Sequence, residues 1–578
     1  MRLDELYLWY LADPSQPRYV GALHLVSAGK GVSLRYAPEW LASGFALSED
    51  LPLIDTEFMP PGRLMAETQR AVGAVDDARP DRWGEKVIRF VDKPKRLSLM
   101  EYLYYAGDER FGALGVSTSP ETYLPRAGGP LPRLEDAQHL SEVVGKIEAS
   151  EPLSEIEARI IAGGGSPLGG AKPKALININ GEPWVIKFFN NEPVDTPLVE
   201  HATMTLAGQA GITVAQTQII PLAGFNAVAI RRFDRERELR IHSISAGTAI
   251  RAGTPTGLEP QMGYPELARI LRRVGVAQGN VNQSDARELF RRMVFNILMD
   301  NTDDHERNHC LRLTLDGYHE LSPAFDVVPS LLSMGYQAMV VGTQGAASTL
   351  DNALTQLPEF GIAQPRALAL VSEVVRAVNG WQAHFKALGV CTADAQATEA
   401  ALRSVRLALQ ADVAQAYYQV RTLDAVVDLL YRTLALREQT LDLISKRYKA
   451  GDVSELDLAR AQADRATTRA ELQAAQGDRR RQHRLDPCCA AAHHPKAHAG
   501  RAARLVHQAR PELRKCRQRL DGQQFVAQTG QPLRVDLAAH IQRQQVVVHT
   551  GAVTQADPPL LGIHADDVVF DERHPGLP

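Results

Sequence analysis

The chain has 578 residues, with 64 Lys and Arg against 68 Asp and Glu and a formal charge of −4 at pH 7. At about 100–200 residues per domain this length predicts three to five structural units, and 44% hydrophobic with 23% charged residues is the composition of globular domains with sizeable cores. The balance of charge excludes a global pull towards nucleic acid or membrane, and no run approaches the ~18–20 apolar residues that a membrane span requires.

At the N-terminus, Asp4 and Glu5 precede a short apolar run with no basic leader or small-residue cleavage site, so the segment reads as a first strand and not as a signal peptide. Cys310, Cys391, Cys488, Cys489 and Cys516 in so long a chain predict reduced thiols in a cytoplasmic protein, without a disulfide framework. Up to about residue 395, alternating apolar runs, turn dipeptides and helical periods mix as in an α+β enzyme.

The first chemical signal is IAGGGSPLGGAKPKALI, where Gly163–Gly165, Gly169 and Gly170 lead to Lys172 and Lys174 and then to an apolar strand. Glycines let backbone N–H groups approach phosphate oxygens, and a nearby Lys adds charge. Ala171 stands where a Walker lysine would be and GxGxxG is not met, so a phosphate loop and a plain linker are both open readings. In WVIKFFN, alternation puts Val185, Lys187 and Phe189 on one face and Ile186 and Phe188 on the other. A Lys among such neighbours either snorkels at an edge or meets an anion. Glu200, 13 residues on at the start of a helix, is a candidate partner, as in the Lys–Glu pair by which protein kinases hold nucleotide phosphates.

The strongest element is NTDDHERNH, followed by LSPAFDVVPS. Asp303 and Asn308 have the separation of a kinase catalytic loop, in which Asp takes the hydroxyl proton and Asn binds Mg²⁺, and Asp326 falls where a second metal carboxylate would sit. The rival reading makes His305 and His309 zinc ligands at i, i+4, but the sequence offers no evident third ligand.

From Leu402 the apolar positions step by three and four through Leu409, Val413, Val420, Val427, Leu434, Leu441 and Tyr448, a heptad seam on one long helix. Gly451 to Ser454 breaks it, with Ser454 placed to cap a second, Ala-rich helix. Residues 396–480 resemble one helical hairpin of the TolC-like outer-membrane efflux family, without its barrel strands or second helical repeat. Residues 481–578 hold nine of the 17 histidines and no sustained periodicity, and read as a disordered, frameshifted tail.

Residues 1–395 resemble the HipA family of serine/threonine protein kinases, the toxins of bacterial type II toxin–antitoxin modules. The motifs are FALSEDLPLI, ARPDRWGEKVI, DERFGALGVS, GGSPLGGAKPKALI, VIKFF, VEHATMTLAGQAGI, AIRRFDR, IHSISAGT, NTDDHERNH and LSPAFDVVPS. The resemblance implies a β-rich subdomain over 1–150, a kinase-like N-lobe with the Gly-rich loop over 151–235 and a helical C-lobe over 236–395. It implies ATP and Mg²⁺ as cofactors, Asp303 as catalytic base, and Asn308 and Asp326 as metal ligands. Gly169, Gly170, Ala171, Lys172, Lys174, Lys187 and His305 would line the phosphates, with Glu200 in support, and Arg231, Arg232, Phe233 and Asp234 would meet base and ribose. Ser166 would be the autophosphorylated serine that shuts nucleotide out. The implied partners are a HipB-like helix-turn-helix antitoxin, operator DNA through that complex and a translation-related protein substrate such as an aminoacyl-tRNA synthetase, with no membrane. Arg269, Arg272, Arg273, Arg291 and Arg292 could supply phosphate contacts to DNA. A catalytically silent corepressor and a small-molecule phosphotransferase are the alternatives.

Overall fold

The computed structural model describes residues 3–60, 70–126, 128–163, 172–189, 192–255, 257–275, 281–331 and 334–485. Of the tail read as disordered from residue 481, residues 481–485 continue the last helix and the rest lies outside the described residues. The first sheet has the order β4-β3-β2-β1-β6 and comprises β1 (Glu5–Tyr10), β2 (Arg18–Val26), β3 (Gly31–Tyr36), β4 (Glu57–Phe58) and β6 (Leu114–Ser117), with β5 (Arg70–Ala71) parallel to β3. Alternation along β1 buries Leu6 and Leu8, and these join Leu23, Val32, Leu34 and Trp40 in the core.

The second sheet, of order β7-β8-β10-β9, is fully antiparallel: β7 (Lys174–Ile179), β8 (Glu182–Lys187), β9 (Thr217–Leu222) and β10 (Phe225–Arg231). Trp184, Ile186 and Phe188 enter one core with Trp83 and with Leu140, Val143 and Ile147 of the helix Ala137–Ala149. On the other face Val228 and Ile230 join the main core beside the helix Thr196–Gln209. That helix starts where the side chain of Asp195 accepts from Leu198 N at 3.2 Å and Pro197 enters the first turn, the usual chemistry of an N-terminus.

Beyond β10 come the short strands β11 (Arg235–Glu236), β12 (Leu239–Arg240) and β13 (Ser243–Ser245), and then a helical lobe. There the helices Tyr264–Val274 and Val281–Leu298 bury Leu267, Leu271, Phe290, Met293 and Phe295. β13 pairs with β14 (Cys310–Leu313) and β14 with β15 (His319–Leu321), so this small sheet carries the catalytic-loop candidate between its helix and its strand. The α+β class, the β-rich start and the two lobes are as the sequence implied. Cys310 is buried and Cys391 exposed, both free.

The helical hairpin is also present, and its first helix, Thr392–Lys449, begins ten residues before Leu402. The reason is packing: Ala395 and Leu402 lie against the main core, and Asp394 accepts from Asp195 N at 3.2 Å. Gly451, at φ +83°, opens the turn, and Ser454 Oγ accepts from Asp457 N at 3.2 Å to start the helix Glu455–Leu485. Among the described residues no helix is long and apolar enough to cross a membrane.

His242 ties the first sheet to the helical lobe, its Nε2 donating to Leu47 O at 2.9 Å. Burial pushes its pKa down to about 4, and the hydrogen bond opposes that only in part. With the folded value below the unfolded ~6.5, protons bind the unfolded chain more tightly. This contribution to stability is therefore complete above about pH 6.5 and is lost as pH falls towards 4, a change of about 3 kcal/mol. Urea titrations at pH 7 and pH 4.5 should show a smaller acid loss in His242→Gln than in wild type.

Candidate active site

Strand β8 delivers Val185 and Lys187 to a cleft whose other walls are Phe111, Lys174, Ile230, Arg231, Arg232, Phe233, Asp234, Phe325 and Asp326. The cleft is open to solvent at its mouth and takes in about 590 Å³ when that solvent is counted. Phe233 stacks on Phe325 at 5.2 Å between ring centroids and meets Phe111 edge-on at 6.1 Å, so three segments distant in sequence build an aromatic wall.

Lys187 is the charged centre. Its ammonium donates to Glu200 at 2.8 Å and to Asp326 at 2.5 Å. Burial opposes the lysine's charge, but the Asp326 and Glu200 carboxylates outweigh it and raise its pKa. Burial raises the Glu200 pKa, and Lys187 overcomes burial at Asp326 and holds that carboxyl low. Asp326 sits at φ 60°, a left-handed conformation uncommon for a side-chain-bearing residue, which its place beside the lysine accompanies.

The loop Asn301–His309 carries two aspartates with opposite surroundings. Asp303 is exposed, and its main-chain carbonyl accepts from His305 N at 2.9 Å and Asn308 Nδ2 at 3.4 Å, so the turn closes through backbone and leaves the carboxylate outside. Asp304 is buried and accepts from His309 Nε2 at 2.8 Å, Asn296 Nδ2 at 2.7 Å and the Tyr264 hydroxyl. His309 and the other donors overcome burial and hold the Asp304 carboxyl low. His305 accepts from Arg307 N through Nδ1 at 3.3 Å, which puts its remaining proton on Nε2. With His309 bound to Asp304, the described residues show no group of three His, Cys, Asp or Glu fit for a metal, and the zinc reading finds no third ligand.

Magnesium makes a smaller demand, for hard oxygen donors beside phosphate and water. Asn308 Oδ1 is buried without a hydrogen-bond partner among the described residues, an orphaned acceptor that a cation would satisfy, and Asp326 supplies an ionised carboxylate. These residues fit Mg²⁺.

Other sequence candidates have different neighbours. Arg232 donates to Asp234 at 2.7 Å and to Arg110 O at 2.8 Å, and Gly112 N donates to Asp234 at 2.7 Å, so the Asp234 carboxylate is engaged in a buried network at the edge of the cleft it lines. Arg231 pairs with Glu182, and exposed Lys172 with Glu192. Lys174 is held by Asp81 at 2.8 Å. Ser166, Gly169, Gly170 and Ala171 lie outside the described residues. The arginines considered for DNA have internal partners: Arg269 with Glu266, Arg272 with Pro358 O, Arg273 with Glu49, Arg291 with Glu373 and Arg292 with Ser322 O. Sequence reasoning missed Phe111, Phe325, Asp81 and Asp304 as site residues, because each acts through a partner that only the fold brings near.

The HipA N-terminal domain model matches residues 15–117 and the HipA-like C-terminal domain model residues 166–381, together more than half of the chain. The chain belongs to the HipA family. The outer membrane efflux protein model matches residues 381–484, where the hairpin lies. A kinase-named protein of Sinorhizobium fredii is 28% identical over 163 residues, 26% of this chain and 38% of its own length, so the chain spans well under half the length of that relative. The serine/threonine-protein kinase toxin HipA of Shewanella oneidensis is 22% identical over 346 residues, 54% of this chain and 72% of that toxin. A solved complex of Shewanella oneidensis HipA, HipB and operator DNA aligns with a TM-score of 0.49 at 19% identity, over 69% of this chain and 95% of that one.

The two neighbouring aspartates should separate cleanly. Asp304→Ala leaves three buried donors without an acceptor and should cost on the order of 3–5 kcal/mol in urea unfolding. Asp303→Ala, at an exposed position, should change stability by less than about 0.5 kcal/mol.

Proposed function

We propose that this chain is a HipA-type toxin, an ATP- and Mg²⁺-dependent protein kinase that phosphorylates a serine or threonine of a translation-related protein and so arrests growth. The observation that carries the reading is Lys187 clamped between Glu200 and Asp326, with His305 of the loop that holds the exposed Asp303 and the orphaned Asn308 near enough for its charge to act on Asp326. Mg²⁺–ATP, when bound, supplies the phosphoryl group and the divalent charge across its phosphates. Asn308 and Asp326 are the residues that would hold the metal, and Phe233 and the backbone of Arg231 and Arg232 would border the base. Gly169, Gly170, Ala171, Lys172, Lys174 and His305 would surround the phosphates.

The protein's work in such a transfer is positioning and charge stabilisation. Lys187 neutralises phosphate oxygens while Glu200 keeps its ammonium in place. Asp303 accepts the hydroxyl proton of the acceptor at its carboxylate, and the buried Asp304 fixes the loop from below. Asp234 and Arg232 act from behind the hinge by holding it to Arg110 and Gly112. The matched HipA domains support a HipB-like helix-turn-helix antitoxin as partner, operator DNA through that complex, an aminoacyl-tRNA synthetase as the type of substrate and a cytoplasmic site of action.

Intact mass after incubation with Mg²⁺–ATP tests the reading. Phosphoryl addition to wild type should fall by roughly 10²–10⁴-fold in Asp303→Asn, the usual worth of a general base, with ATP still bound. Binding without transfer in wild type would instead favour the silent corepressor. Ser166→Ala should lose phosphoryl addition at that position yet should not lower transfer to a separate Ser/Thr-containing protein substrate, since a phosphate at Ser166 would repel those of ATP; loss of transfer to the substrate in that variant would remove the autoinhibition idea.

A further inference from the structure

Lys174 and Lys187 occupy directly paired positions on β7 and β8, both line the cleft, and they are 3% and 8% exposed. Like charges opposite each other on adjacent strands repel, and a buried ammonium needs a counter-ion. Lys187 has two, Glu200 and Asp326. Lys174 has one, and it comes from another part of the molecule: Asp81 Oδ2, at 2.8 Å, in the N-terminal sheet domain 93 residues earlier.

Asp81 is itself fixed in place. Its Oδ1 accepts from Gly84 N at 2.7 Å and caps the ten-residue helix Arg82–Val91. Two residues on, Trp83 Nε1 donates to Lys174 O at 2.7 Å. One short stretch therefore holds Lys174 by its ammonium and by its carbonyl, at the residue where β7 leaves the Gly-rich segment. The charge of Lys174 also acts on Glu200 and Asp326, favouring their ionised forms, which locates it within the phosphate site.

We propose that Asp81 is a positioning residue of the nucleotide site, holding the Lys174 side chain in place opposite Lys187 so that both lysines face the phosphates. The proposal rests on the kinase reading above. An ammonium has three N–H donors, so the one given to Asp81 leaves others for phosphate oxygens, and carboxylate and nucleotide do not compete. Without Asp81, the Lys174 ammonium opposite Lys187 loses the carboxylate that holds it at ion-pair distance, and incoming phosphate meets one fixed cation instead of two. The N-terminal domain is in this way a working part of the nucleotide site.

Asp81→Asn in the full-length protein separates charge from fold, because Asn caps a helix as well as Asp does. Affinity for a fluorescent ATP analogue with Mg²⁺ should weaken by about tenfold or more, and KM should rise with little change in kcat, since ground state and transition state lose the same contact. Asp81→Glu should recover most of the loss. Without nucleotide, acylation of Lys174 by an amine-reactive reagent, read by peptide mass spectrometry, should rise in Asp81→Asn. Equal acylation in wild type and variant, or unchanged or tighter nucleotide binding, overturns the proposal. If Asp81→Asn does not fold, the neutral pair Asp81→Asn/Lys174→Met leaves no unpaired charge, and wild-type affinity in it would overturn the proposal equally. A wild type that binds no Mg²⁺–ATP overturns the kinase reading, and the phosphate role of Asp81 with it.

Discussion

A single buried ammonium organises the site. Lys187 draws one carboxylate from the helix Thr196–Gln209 and another from the segment after β15, so the small lobe and the helical lobe meet at one positive charge. Breaking a buried pair by removing one partner costs more than the pair contributes, because the remaining charge is stranded. Any change that moves the lobes apart at this point therefore leaves a carboxylate or a lysine buried alone. The cost of that separation, more than the strength of any one contact, keeps the cleft closed to a defined width while it remains open at its mouth.

The N-terminal domain extends the same principle along the hinge. Arg232 and Arg235 are buried with Asp234 and Glu109, and they donate to the carbonyls of Arg110 and Gly112. Burial together with the repulsion of Arg232 lowers the Arg235 pKa to about 10. Guanidinium groups crowded in this way need the carbonyls as well as the carboxylates, and the carbonyls belong to the turn that carries Phe111. The aromatic wall and the ionic network are thus two faces of one contact. The N-terminal sheet is not a separate module resting on the two lobes; it closes the back of the cleft.

How much of this was legible in the sequence follows from contact range. Period-two alternation in WVIKFFN gave the face of Lys187, and Glu200 stood out at the start of the next helical stretch, so a pair 13 residues apart could be read. The two elements are joined by a short segment, which limits where they can go. Asp303 and Asn308 were legible for the same reason, since a turn of six residues fixes its own geometry. The Asp81–Lys174 pair and the filling of Asp234 were not, because they join residues more than 90 positions apart through packing of Trp83 and Phe111, which no local period records. Asp304 was hidden by its neighbour: DD reads as two acids, and only the pattern of burial separates the one that faces solvent from the one that holds His309.

The hairpin shows where the lobe's stability ends. A helix of 58 residues is about 87 Å long at 1.5 Å per residue. Its first turns pack on the main core, while the arm beyond forms, among the described residues, a small cluster of Val427, Leu472 and Ala475 with partial help from Leu430 and Leu434, apart from which Ala461 is also buried. Leu429, Leu436 and Leu443, seven residues apart, remain exposed on its surface. So thin a core does little to offset the entropy of ordering two long helices. What the arm gains is nucleation, since the turns at Ala395 and Leu402 are already fixed by the lobe and each further residue adds one hydrogen bond at the cost of propagation alone. A hairpin matched by the outer membrane efflux protein model can in this way be carried as an ordered helix by the lobe from which it extends.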